Sequence, residues 1–240
     1  MNSRLFHNGI WLLILSWAFG HSVFAMGIRS LVALPVEKGG AVVRLAVNQQ
    51  TDSTQLTTSA AYGINPRQTL LMALPYRVSP SGKDRQGDVS ILYRYIIWQR
   101  DHFQGTDRLG VLAGVSVPEQ TNSDGAWQAG LVFSRFMNRH EIDLDALYQT
   151  GMGNRADSGR YDFSWQYRLL PKQHADWGIS DELFSVVELN GRWQPLNGMT
   201  RQITLGLQWV KTSWVLETAL VRNINHPKKD QFLLGTRFHF

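Results

Sequence analysis

The chain has 240 residues, no cysteine, and 24 basic against 19 acidic side chains, for a formal charge of +5. The missing thiols exclude a disulfide framework and a thiolate metal site, and the charges are interspersed rather than blocked, which argues against a nucleic-acid partner. Nine Trp, seven Tyr and eleven Phe at a mean hydropathy of −0.22 fit either a large soluble core or the aromatic girdles of a membrane barrel.

The first 25 residues read as a cleaved signal peptide. MNSRLFHNG carries Arg4 in a short basic region, IWLLILSWAFG is an apolar run, and HSVFA ends in the small-x-small pattern Val23-Phe24-Ala25. The apolar run is too short for a spanning helix, which needs roughly 20 residues; the alternative is an uncleaved N-terminal anchor. Residues 26–240 then form a single exported domain.

Beyond Met26 the recurring unit is a run of about ten residues with period-two alternation, closed by a Gly/Pro/Asn/Asp/Ser cluster. The runs fall at 41–49, 55–64, 69–76, 87–98, 107–117, 126–136, 141–149, 160–169, 183–193, 201–210, 214–223 and 231–240. Each has one oily face. In RYDFSWQYR, Tyr161, Phe163, Trp165 and Tyr167 alternate with Asp162, Ser164, Gln166 and Arg168. The run 201–210 sets Ile203, Leu205, Leu207 and Trp209 against Gln202, Thr204, Gly206 and Gln208. A soluble sandwich with its oily face inward shares that alternation. Twelve is an even count, as in bacterial outer-membrane barrels, and aromatics gather at run ends: Trp209 and Trp214 flank 211–213, and Tyr148 and Tyr161 flank 150–159. The polar faces carry Gly, Ser, Gln and paired charges. The expected fold is therefore all-β, a transmembrane antiparallel up-and-down β-barrel of twelve strands. Its connections at 65–68, 137–140 and 210–213 are short, as periplasmic turns are, and those at 78–87, 118–125 and 150–159 are longer and polar. The exception is 170–183, long although the alternation places it in the periplasm.

LPVEKGG (34–40), LPYRVSPSG (74–82), GDVSILYRY (87–95), TDRLGVLAGVSVP (106–118) and DGAWQAGLVFSRF (124–136) resemble the family named for the MetA pathway of phenol degradation, a group of outer-membrane transporter barrels. The resemblance implies a barrel with a passive transport role. It supplies no catalytic residue and no substrate.

With the oily faces outward, the lumen receives Asp88, Glu141, Asp143, Asp145, Asp162, Glu188 and Glu217 against Arg44, Arg94, Arg108, Arg168, Arg192 and Arg237, with His239 at the end. Near-balanced charges, with arginine as the base, suggest internal salt-bridge networks around a narrow pore. Pairing Gln149 with Arg160 across the 150–159 loop sets Glu141 opposite Arg168, and Asp143 and Asp145 opposite Gln166 and Ser164. Asp143 and Asp145 then need an arginine from across the lumen, or water.

Other chemistry is weaker. Carboxylates at i and i+2 supply too few of the six to eight oxygens calcium takes. His140 is expected in a turn, and His102 and His226 in loops, so the Ser–His pair of an outer-membrane phospholipase finds no mid-strand lipid-facing histidine. GMGNRADSG (151–159) lacks the Lys-Ser/Thr ending of a phosphate loop. No cofactor is implied. The expected partners are outer-membrane lipids and lipopolysaccharide, small solutes, and the assembly machinery reading the final strand that ends in Phe240. The expected function is a channel in the outer membrane of a Gram-negative bacterium. The alternatives are a closed structural or interaction barrel and a lipid-modifying enzyme.

Overall fold

A computed structural model describes residues 27–82, 85–119, 123–171, 181–195, 198–225 and 227–240. The expected leader at 1–25, His226 and most of the 170–183 connection lie outside the described residues.

Among the described residues, twelve strands form one closed antiparallel barrel. In chain order they are β1 (Ala41–Gln50), β2 (Thr54–Asn65), β3 (Gln68–Ser79), β4 (Val89–His102), β5 (Gly105–Val117) and β6 (Ala126–Met137). The second half comprises β7 (His140–Gly151), β8 (Ser158–Leu170), β9 (Glu182–Gln194), β10 (Gly198–Val210), β11 (Trp214–Asn223) and β12 (Asp230–His239). Each strand pairs with its neighbours in sequence, and β12 returns to β1. At that seam Ala41 N–H donates to the Phe240 carbonyl at 3.0 Å and Phe240 N–H to the Ala41 carbonyl at 2.9 Å. Closure gives every strand a partner on both sides, as hydrocarbon requires.

Burial runs inside-out relative to a soluble protein. Ser164, Gln166, Gln208 and Glu188 are fully buried, whereas Leu205, Leu220, Leu131 and Trp127 on the alternate positions are exposed. This removes the soluble-sandwich alternative, because its oily face would be the hidden one. A bulge between Ile96 and Trp98 in β4 turns both Ile97 and Trp98 outward, so the lipid face gains a second large side chain there.

Aromatics mark both rims. At the short-turn end Trp209 and Trp214 meet edge-on at 5.5 Å, with the Lys211 ammonium 4.9 and 5.6 Å from their ring centres. On the same rim His140 is the first residue of β7, not a turn residue, and packs against Trp165 and Tyr167. Trp165 Nε1–H donates to His140 Nδ1 at 3.2 Å. His102 likewise ends β4 instead of lying in a loop, and pairs with Asp107 at 3.1 Å. At the long-loop end Tyr148 stacks on Trp193 at 6.3 Å. Such rings are best placed at a headgroup boundary.

The β7–β8 register corrects one expectation. Gln149 pairs with Ser158, not Arg160, so Glu141 faces Gln166, Asp143 faces Ser164 and Asp145 faces Asp162. Asp157 causes the two-residue difference: its carboxylate accepts Gly151 N–H at 2.9 Å and Tyr148 O–H at 2.6 Å, closing the loop early. Arg168 therefore pairs with Glu182 at 3.2 Å, a residue the sequence reading left in the connection.

Residues 36–40 turn against Gly63 of β2. Gly39 N–H donates to the Gly63 carbonyl at 2.7 Å and Gly63 N–H to the Gly40 carbonyl at 3.0 Å. A Cβ at Gly63 would lie 2.0 Å from the Glu37 carbonyl oxygen and 2.5 Å from that of Val36. Gly63→Ala is expected to cost about 1–3 kcal/mol through that backbone clash. The readout is the midpoint of the heat-induced gel shift of the folded barrel, with Gly82→Ala, which meets nothing within 4 Å, as the unchanged control.

The same Gly151 and Tyr148 donors hold the Asp157 carboxyl below its ordinary range, the Tyr148 hydroxyl contributing most. A depressed folded-state value means that the loop closure is present above the unfolded carboxylate range and is lost as pH falls through the folded one. Hydrogen exchange at the Gly151 amide is expected to accelerate on acidification beyond the intrinsic trend, and Asp157→Asn to abolish that extra dependence.

Candidate functional site

The strand register winds the inward residues into rows around the barrel. One row passes Arg94, Leu112, Gly130, Leu147, Arg160 and Arg192, and the next passes Ile96, Gly110, Val132, Asp145, Asp162, Asn190 and Gln202. Nine of the expected lumen residues are buried: Arg94, Glu141, Asp143, Asp145, Asp162, Arg168, Glu188, Glu217 and Arg237. Arg44, Asp88, Arg108 and Arg192 are half-buried. His239 is half-buried at the end of β12.

These charges do not line an empty pore. Residues 27–34, Gly-Ile-Arg-Ser-Leu-Val-Ala-Leu, enter from the short-turn end and run through the lumen, where the wall charges bind their backbone. Glu188, halfway along β9, accepts Arg29 N–H with both carboxylate oxygens at 3.1 Å; one oxygen also takes Ser30 N–H at 3.4 Å and Ser30 O–H at 3.3 Å. Asp145, halfway along β7, accepts Leu31 N–H at 2.7 Å. Ser134 Oγ accepts Ala33 N–H at 2.8 Å and donates to Asp143 at 2.5 Å. The arginines take the other half of the backbone: Arg44 donates to the Ile28 carbonyl, and Arg94 to those of Val32 and Leu34. Arg29 reaches across to Gln202 Oε1 at 2.6 Å.

Side chains of the segment fill the space between these bonds. Ile28 packs with Val186, Ala219 and Leu233 on one side of the lumen, helped by Gly206, where a Cβ would lie 2.3 Å from Ile28 Cδ1. Ala33 and Leu31 pack on the other side with Leu92, Ile96, Leu112, Val132 and Leu147. Ile28 and Ala33 are wholly buried and Val32 is 1% exposed, so the segment's side chains are packed against the wall and leave solvent almost no surface at this level.

The remaining charges knit the wall. Glu217 accepts Arg44 Nε–H at 2.5 Å and Arg237 Nη2–H at 3.1 Å. Asp162 is gripped by the Arg192 fork at 2.7 and 3.1 Å and by Asn190 at 2.7 Å. Asp143 also takes Gln166 Nε2–H at 3.0 Å, across the strand diagonal. Asp88 pairs with Arg155 of the β7–β8 loop.

Sequence reasoning missed Arg29 and its bond to Gln202, the inward Arg160, Ser134 and the role of 27–34. A signal was present: Leu92, Ile96, Leu112, Val132 and Leu147 all point inward, where a water-filled lumen has no use for them. They needed an apolar partner, and GIRSLVA is the unassigned apolar stretch.

Above the segment, toward the long loops, lies a cavity of about 610 Å³ whose floor includes Ile28, Arg29, Leu31 and Val32. Its rim carries Asn48, Gln55, Gln128, Gln149 and Gln194.

No protein-family model and no curated protein sequence matches the chain. Solved structures do. The KdgM porin is similar at a TM-score of 0.59 with 8% identity, over 83% of this chain and 99% of that one. The COG4313 outer membrane channel from Pseudomonas putida F1 reaches a TM-score of 0.56 with 15% identity, over 91% and 100%. The NanC porin reaches 0.54 with 12% identity, over 82% and 98%. The fold is that of outer-membrane porins. At these identities the likeness concerns the barrel alone.

A chain without cysteine allows a direct test of the closure. Val32→Cys is expected to resist a water-soluble maleimide in the folded barrel. Adding Glu188→Leu orphans the Arg29 and Ser30 N–H groups at about 1–3 kcal/mol, so labelling should accelerate by roughly ten-fold or more.

Proposed function

We propose that the protein is an outer-membrane channel for small solutes, held shut in this conformation by residues 27–34. The observation that carries this reading is the bonding of that segment. The N–H groups of Arg29, Ser30 and Leu31 go to wall carboxylates and the carbonyls of Ile28, Val32 and Leu34 to wall arginines, whereas no strand ladder includes the segment. A segment bound by side chains can leave without unzipping the barrel, whose strands pair with one another all the way round.

Withdrawal strips Glu188, Asp145 and Arg94 of partners. Leaving a buried charge unpaired costs about 3–5 kcal/mol, so the segment leaves only as water enters to hydrate those groups. Opening and wetting are then one event. The wetted lumen is polar and lined by both signs of charge, which suits passive movement down a gradient with size and charge selection. The apolar exterior and two aromatic rims support residence in an outer membrane. On this reading residues 1–25 direct export, the short turns face the periplasm, the long loops meet lipopolysaccharide, and the strand ending in Phe240 serves assembly. Kinship with the MetA-pathway family stays part of this proposal, supported by the strand grammar of 34–40, 74–82, 87–95, 106–118 and 124–136.

The seal at Ile28, Val32 and Ala33 also favours a second reading, a permanently closed barrel that works through its loops. Planar-bilayer conductance separates the two. The intact protein is expected to give rare, brief openings, and deletion of residues 27–34 sustained ones of at least several-fold greater mean current. Silence from both, with gel-shift evidence that both are folded, would sink the channel and leave the closed barrel.

A further inference from the structure

The cavity above the closing segment is electrostatically one-sided, although the lumen as a whole is balanced. Six arginines line it among the described residues: Arg29, Arg44, Arg94, Arg160, Arg192 and Arg237. No aspartate or glutamate is among the described residues that line it. The countercharges lie behind the guanidinium groups. The side chains of Asp145, Asp162 and Glu217 are wholly buried, whereas those of Arg44, Arg160 and Arg192 keep 23%, 27% and 29% of their surface. A solute entering the cavity meets cations backed by carboxylates it cannot touch.

Arg160 and Arg192 sharpen this. They are directly opposed across the β8–β9 ladder, where like charges repel. Arg192 is tied to Asp162 by two bonds. Arg160 is only loosely held: its nearest carboxylate oxygen, on Asp145, is 3.8 Å from Nη2, and its buried Nε has no partner. The next residue in the same row is Leu147, and Leu71 and Leu92 continue an apolar wall beside it. A pair of crowded guanidinium groups next to an apolar wall asks for an anion with an apolar body. Guanidinium forks match carboxylates in particular. The volume, about 610 Å³, lies within the range of roughly 300–1,000 Å³ typical of small-molecule sites and fits one compact molecule rather than a polymer.

We propose that this cavity is a binding site for a small organic carboxylate, its carboxylate held between Arg160 and Arg192 and its hydrocarbon body against Leu147, Leu92 and Leu71. The proposal names the solute class of the channel reading and rests on that reading for transport, but the binding itself needs no current. The anion relieves the Arg160–Arg192 repulsion, and its position directly over Arg29 and Ile28 sets it at the entrance the segment closes.

The test is an equilibrium titration of the full-length barrel in a non-ionic detergent with hexanoate, followed by saturation-transfer NMR. Hexanamide, hexylamine and inorganic phosphate are run as probes of the same site. Hexanoate is expected to bind, with the hexyl protons receiving saturation; hexanamide and hexylamine are not. Arg160→Gln with Arg192→Gln should weaken hexanoate at least ten-fold, and Arg160→Lys should recover part of that loss. The heat-induced gel shift confirms that each variant is a folded barrel. Equal binding of hexanoate and hexanamide, unchanged affinity in the double glutamine variant, or phosphate binding without hexanoate binding would each overturn the site. Hexanoate binding by a protein that never conducts would remove the channel and leave the site standing. Conductance without hexanoate binding would do the reverse.

Discussion

Burying a charge inside a barrel demands a partner, and here the partner is the chain's own backbone. Glu188, Asp145, Arg44 and Arg94 sit at or near mid-height on β9, β7, β1 and β4, and each binds a peptide group of residues 28–34. A carboxylate accepting several N–H groups, and a guanidinium donating to carbonyls, satisfy both sides at once. The segment's backbone would otherwise be as costly to bury as the charges. Neither the wall nor the segment is a stable interior alone; together they are.

That reciprocity gives the closed lumen its layered character. Toward the short turns Arg168–Glu182 ties β8 to β9, and Glu217 of β11 binds Arg237 of β12 and, one strand further round, Arg44 of β1. At mid-height, peptide groups and apolar contacts exclude water. Toward the long loops Arg160 and Arg192 keep part of their guanidinium surface exposed, and the cavity begins. The charge balance of the whole lumen is therefore a poor guide to any one level of it. Burial sorts the acids behind the bases.

The three carboxylates of β7 show how far reading by sequence goes. Their spacing of two assigned Glu141, Asp143 and Asp145 to one face, and the structure places all three inside. Their partners were beyond that reading. A loop shortened by the Asp157 clasp moved the β8 register by two residues, which exchanged Arg168 for Gln166 opposite Glu141. Asp145 found a peptide N–H from residue 31, more than a hundred positions away in sequence, for which alternation offers no sign.

Period-two patterning by itself determined the twelve strands, the oily face of each, the aromatics at their ends and most of the charges opposite that face, because each strand obeys the same local rule: successive side chains point to opposite faces. Only the tertiary structure decided what those charges face. Register depends on how each loop closes, and the course of residues 27–34 depends on a space that exists once all twelve strands have met. Whether a lumen is pore or core is a property of what fills it, and the filling comes from a stretch with no period of its own.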